Sequence, residues 1–168
     1  MWPLLLPSAL AAAPEVAGPT APRWTVSVDP LTVALGFTHV QVERALAPAW
    51  SLYAGPSVHV FDSPLLPEPE PYLGLGVEAG VRWVPWAKAP TGPWVMGRGV
   101  GAWIHTTDGS DEAAIGGYGS GLLGYTGIVA GWLVLSGGLG VNILHYRVGS
   151  YGVAGVLPAA HTAIGVAW

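Results

Sequence analysis

The chain of 168 residues has no cysteine and a single lysine, Lys88. Without thiols there is no disulfide framework and no thiolate metal site. Only 10% of its residues are charged, against about 25% in an ordinary soluble domain. That is too little charge to cover a water-facing surface. A net charge of −4 provides no basic footprint, which excludes nucleic acid as a partner. Long hydrophobic runs are also missing. The densest, Ile128 to Leu135, contains Gly131 and falls far short of the roughly 20 apolar residues that a membrane helix needs. Helix formers are scarce beside 25 glycines and 16 prolines, so helices of any length are disfavoured.

What is present is apolar: 51% hydrophobic residues and a mean hydropathy of +0.48. One domain of ordinary size follows from the length. A hydrophobic chain without a spanning helix is either a large soluble core or a transmembrane barrel, and periodicity separates the two. Eight segments read as strands: Arg23–Val33, Phe37–Ala45, Trp50–Phe61, Tyr72–Pro85, Trp94–His105, Ala113–Tyr125, Val129–Tyr146 and Pro158–Trp168. In the fourth, Leu73, Leu75, Val77, Ala79, Val81 and Trp83 share one face, opposite Gly74, Gly76, Glu78, Gly80 and Arg82. In the seventh, Leu133, Leu135, Leu139, Val141 and Ile143 oppose Ser136, Gly138, Gly140 and Asn142. Segments of about ten residues, apolar on one face and small or polar on the other, are the pattern of a membrane-spanning barrel. The expected fold is all-β, an eight-stranded antiparallel up-and-down transmembrane β-barrel over residues 23–168.

Ahead of it, Met1 to Ala11 reads as a shortened export signal, with an apolar middle and an Ala9-Leu10-Ala11 step suited to signal peptidase. Residues 12–22 read as a flexible lead-in. Connections near Leu46–Ala49, Trp86–Pro93 and Thr126–Ile128 are short or rich in Pro and Gly, while Asp62–Pro71, Thr106–Glu112 and Arg147–Leu157 are longer. Outer-membrane barrels have short periplasmic turns and longer outside loops, so both termini are expected on the periplasmic side. Trp24, Trp50, Trp83, Trp86, Trp94, Trp132 and Trp168 then fall at that one end. Indole prefers the boundary between hydrocarbon and water, and these residues form the expected aromatic belt. Pro30 and Pro56 fit only at bulges or strand ends.

Strand parity turns Ser27, Asp29, His39, Gln41, Glu43, Tyr53, His59, Glu78, Arg82, Arg98, Asn142 and His161 inward. Eight strands enclose a bore just wide enough for side chains to fill. Glu43 and Glu78 facing Arg82 and Arg98 therefore read as a charge-compensated plug. Porin-sized conductance would need about 16 strands. The five histidines are scattered, and His59, His105 and His145 read as rim residues rather than a metal site. No cofactor is expected.

The stretches Val28-Asp29-Pro30-Leu31, Val40-Gln41-Val42-Glu43-Arg44-Ala45-Leu46 and Leu52-Tyr53-Ala54-Gly55-Pro56 resemble small bacterial outer-membrane barrels of the OmpX-like and OmpA-like kind. The aromatic last residue, Trp168, is similar to the C-terminal aromatic that the barrel-assembly machinery reads in such proteins. The resemblance implies the outer membrane as location, lipid and lipopolysaccharide as surroundings, and a structural or surface-interaction role. Two alternatives stand beside it. A lipid A-modifying outer-membrane enzyme would need a His-x-Ser pair, but His145-Tyr146-Arg147 has arginine at the serine position. A soluble periplasmic lipocalin-like binder would place Leu73, Leu75 and Val77 in the core.

Overall fold

Alternation of apolar with small or polar residues lets each strand face two environments, and here it closes into a ring. The structure, a computed structural model, describes residues 22–59 and 71–168. The signal-like segment 1–11, nearly all of the lead-in 12–22, Phe61 and all but the last residue of the Asp62–Pro71 loop lie outside the described residues. The strands are β1 (Trp24–Val28), β2 (Phe37–Ala47), β3 (Trp50–His59), β4 (Tyr72–Trp83), β5 (Gly92–Thr106), β6 (Ala113–Val129), β7 (Leu133–Val148) and β8 (Tyr151–Ala167). Each pairs antiparallel with the next, and β8 returns to β1 to close the barrel. The eight-stranded up-and-down fold is the one expected from the sequence.

The register fixes its dimensions. From Val26 the pairing runs through Val42, Ala54, Ala79, Gly99, Gly119 and Ile143 to Val156, whereas across the closing seam Val26 meets Val166. The circuit thus returns ten residues away on β8. With a rise of about 3.3 Å per residue and strands about 4.8 Å apart, that stagger sets a tilt near 40° and a backbone radius of about 8 Å.

Alternation sorts the faces as read from sequence. On β4, Leu75, Val77, Val81 and Trp83 point outward and are exposed, while Glu78 and Arg82 point inward and are buried. On β7, Leu135, Leu139, Val141 and Ile143 are exposed outward. β5 and β6 have no continuous apolar face because three successive outward pairs are glycine on glycine: Gly97 with Gly121, Gly99 with Gly119, and Gly101 with Gly117.

Four details differ from the sequence reading. The first predicted strand stops at Val28, and Pro30–Ala34 forms a short helix, α1. Asp29 is its N-cap and Pro30 its first residue, a start signal that overrides the β-branched Thr32 and Val33. The supposed long loop Arg147–Leu157 is a tight turn, with β7 and β8 paired up to Val148 with Tyr151. Gly149, at φ 55°, makes that reversal possible. The third turn is Ala130–Trp132 rather than Thr126–Ile128, and Trp132 is exposed beyond the strands. Pro56 sits where the β2–β3 ladder lapses between His39–Ser57 and Val42–Ala54, so its missing N–H costs nothing there.

Inward glycines make room for large neighbours. A Cβ on Gly80 would collide with the Tyr53 ring, which is 1% exposed. Gly80→Ala is expected to cost about 1–3 kcal/mol by overpacking, read as a shift in the urea unfolding midpoint. Adding Tyr53→Leu should recover part of that loss; no recovery would mean that the glycine serves something other than the ring.

Candidate functional site

Within so narrow a ring, buried polar side chains are favoured where they can pair with one another. Near the turn end, the β4 guanidinium of Arg82 donates from Nη1 to both carboxylate oxygens of Glu43 on β2, at 3.0 and 2.7 Å. Ser51 on β3 donates to the same carboxylate. Arg82 also lies over the Trp94 ring, 4.8 Å from its centroid. The Trp94 indole N–H donates to Thr126 Oγ1 at 2.9 Å, and Thr126 is linked in turn to Ser136 at 2.8 Å.

Trp94 is therefore a correction to the belt expected from sequence: it is 2% exposed and points into the bore. The cause lies on the facing strands. Gly124 and Gly138 are cross-strand partners, and a Cβ on either would collide with the indole. Their missing side chains form its slot. The other expected belt residues, Trp24, Trp50, Trp83, Trp86 and Trp168, are exposed at the turn end together with Trp132. Trp50 stacks on Trp83 at 6.2 Å, and Arg44 lies over Trp24 at 5.0 Å.

The middle layer centres on Glu78. Its Oε1 accepts from Gln41 Nε2 at 2.8 Å, and its Oε2 is 2.8 Å from His39 Nδ1. Arg98 stands farther off, with Nη1 3.9 Å from Glu78 Oε1. Arg98 instead donates from Nε to Ser120 Oγ at 3.1 Å, and Ser120 donates on to Asn142. The four charged residues expected to form one plug thus divide. Glu43 and Arg82 form a tight pair, whereas Glu78 and Arg98 are loosely coupled and His39 is the nearer partner. The sequence reading turned His39 inward but assigned it no role; its parity with Gln41 on β2 is the signal that pairs both with Glu78.

A third cluster holds the seam. Asp29, fully buried, accepts the N–H groups of Leu31 and Thr32 at 3.1 and 3.3 Å, capping α1. From β8 it accepts the Thr162 N–H at 3.3 Å and the Thr162 hydroxyl, with His161 Nδ1 3.6 Å away. At the loop end the filling turns aromatic, with Tyr72, Ile104, Tyr146 and Val148 packed against Phe37. His59 corrects the rim reading: it is 1% exposed, stacks on Tyr72 at 4.4 Å, and its Nδ1 is 3.2 Å from the Tyr72 carbonyl.

His105 stacks on Trp103, while His145 faces outward from β7 and Ser150 lies in the β7–β8 turn. Among the described residues no group of three His, Cys, Asp or Glu side chains is arranged to hold a metal. Comparison with protein-family models, with curated proteins and with solved structures finds no match. The site therefore has to be read from its own geometry, and what that geometry defines is a barrel with a charge-paired interior.

Removing Glu43 strands a buried guanidinium. Glu43→Ala should cost about 3–5 kcal/mol, read as lost resistance to heat and urea. The joint replacement Glu43→Gln with Arg82→Met should recover most of it; equal losses in both variants would refute pairing as the cause. At the rim, Asp108 accepts from the Ser110 hydroxyl and N–H and from the Tyr151 hydroxyl at 2.8 Å, which holds its carboxyl down at about 2. With its acidity raised by folding, this link is complete above the ordinary aspartate range near pH 4. It is lost as pH falls through about 2. Carboxyl NMR should show Asp108 titrating well below the ordinary aspartate range, and Tyr151→Phe should raise its midpoint.

Proposed function

We propose that the chain is an integral outer-membrane β-barrel with a polar-plugged interior, serving a structural or surface-interaction role. One observation carries the reading: the barrel is apolar outside and charged inside. Val42, Leu52, Val77, Leu139 and Ile164, each on a different strand, are all at least 41% exposed, while Glu78 and Arg82 are at most 2% exposed. In water this arrangement would leave a large apolar surface uncovered. In a bilayer it is the favourable one, since only a closed ladder satisfies every strand's backbone there. The exposed tryptophans at the turn end suit a headgroup boundary. A lipocalin-like binder needs the opposite arrangement, an apolar lining and a polar coat.

The surrounding partners are then outer-membrane lipid and lipopolysaccharide. The C-terminal strand ending at Trp168 is the segment offered to the barrel-assembly machinery. Trp168 also ties the ring shut: its carbonyl accepts from the N–H of Trp24 at 3.1 Å, and its own N–H donates to the Trp24 carbonyl at 3.0 Å.

Membrane fractionation with electrophoresis of heated and unheated samples tests the reading. The protein should appear in the outer-membrane fraction and migrate faster before boiling than the unfolded 17.3 kDa chain. Recovery as a soluble periplasmic protein would overturn it.

A further inference from the structure

The barrel wall is incomplete between β1 and β8. β1 pairs with β8 only from Thr25–Ala167 to Val28–Ile164, because β1 ends after five residues. β8 runs on to Tyr151. Among the described residues, its edge from Tyr151 to Ala163 has no strand partner on the β1 side. The helix α1 stands where the outer half of β1 would be, leaning on both β2 and β8. It is fastened at its base by Asp29, and its Leu31 N–H donates to Thr162 Oγ1 at 3.1 Å. Pro158 lies in the unpartnered stretch of β8, where a missing N–H is tolerated.

Behind this gap is a cavity of about 400 Å³, within the size range of small-ligand sites. Its walls include Leu31 of α1 and the C-cap Leu35 that follows it, Phe37 of β2, Leu144 of β7 and Leu157 of β8. Ala160 also lines it, although the buried residues of β8 around it, Ala159, His161 and Ala163, have the opposite parity. The cavity therefore reaches past the free edge of β8 toward the outer surface. Its polar lining includes Arg98, His39 and Asn142. The Arg98 side chain is 2% exposed, and its buried Nη1 has no hydrogen-bond partner among the described residues, Glu78 being 3.9 Å away. Arg98 lines the cavity, and a buried guanidinium N–H without an acceptor is an unmet donor for an anion.

We propose that this cavity binds a long-chain fatty acid taken from the surrounding bilayer, with its carboxylate at Arg98 and its tail leaving between α1 and β8. The proposal rests on the membrane reading above. A single-chain carboxylate fits both features: one charged acceptor for Arg98, and one hydrocarbon chain for a largely apolar cavity that reaches β8 beside its free edge. Glu78 limits the affinity by competing for the same guanidinium. His39, 2.8 Å from the Glu78 carboxylate, keeps that acid engaged elsewhere.

The test is native mass spectrometry of the folded barrel in detergent, with palmitate and methyl palmitate as probes. One palmitate per barrel is expected, with the ester bound at least tenfold more weakly. Arg98→Gln should weaken palmitate at least tenfold while leaving the ester unchanged. Leu144→Trp, which fills the cavity without touching the polar groups, should weaken both. Ala160→Trp should slow loading from palmitate-containing vesicles at least tenfold without altering binding in detergent. Unchanged palmitate binding in the folded Arg98→Gln and Leu144→Trp variants, or uptake of many palmitates without saturation, would overturn the site. Unchanged loading by Ala160→Trp would overturn the lateral route. Where a variant fails to fold, the acid-against-ester comparison on the unmodified protein decides. Fractionation and heat-dependent migration report on the membrane reading separately, so failure of one is distinguishable from failure of the other.

Discussion

Closure at a stagger of ten residues is the constraint on which the rest of this molecule depends. It fixes a radius of about 8 Å, and every inward side chain then competes for the same narrow bore. Two consequences follow. Large inward residues require small ones opposite, which is why Tyr53 faces Gly80 and Trp94 faces Gly124 and Gly138. Charged inward residues require partners within reach, which is why Glu43 has both Arg82 and Ser51. The interior is a fitted filling rather than an open channel at the turn end, where Trp94, Met96 and Leu122 are each about 2% exposed or less.

The fold was legible because it rests on a short-range signal. Period-two alternation survives in β4 and β7 without any knowledge of neighbours, and once those faces are set, parity turns Glu78, Arg82 and Asn142 inward. Position along the bore is a different matter, because it depends on register between strands far apart in the chain. Parity puts Glu43, Glu78, Arg82 and Arg98 on one surface but does not say that Glu43 takes Arg82 and that His39 comes closer to Glu78 than Arg98 does. The Trp94 slot was hidden for the same reason. Its cause is a pair of glycines on β6 and β7 that become neighbours only in the folded register. The end of β1 carried a local signal, Asp29 before Pro30, and a cap followed by proline at the first helical position reads as a helix start.

The two acid–base groupings differ in a way that bears on function. Glu43 and Arg82 share two short contacts, with further partners closing around both, so this pair is a fixed structural element. Glu78 is served by Gln41 and His39, which leaves Arg98 held by Ser120 and by the face of Tyr118, 5.5 Å from its centroid. A guanidinium positioned by a neutral hydroxyl and an aromatic ring has its orientation set without its charge being neutralised at contact distance. This distinguishes the middle layer from the turn end.

Shortening β1 has a cost that shows where the barrel accepts weakness. A full partner for β8 would add ladder hydrogen bonds that an open strand edge leaves unmade. The chain does not simply leave the edge bare. It turns Asp29 into a hub that caps α1 and also accepts from the backbone and side chain of Thr162, so the seam is locked where pairing stops. Beyond that point Pro158 removes one donor, and α1 covers part of the remaining edge. The helix is held at its base by Asp29 and leans on β2 and β8, whereas the rest of the described wall is held by strand pairing. The gap in the wall beside β8 thus lies next to a cavity whose lining includes an interior guanidinium with an unused donor.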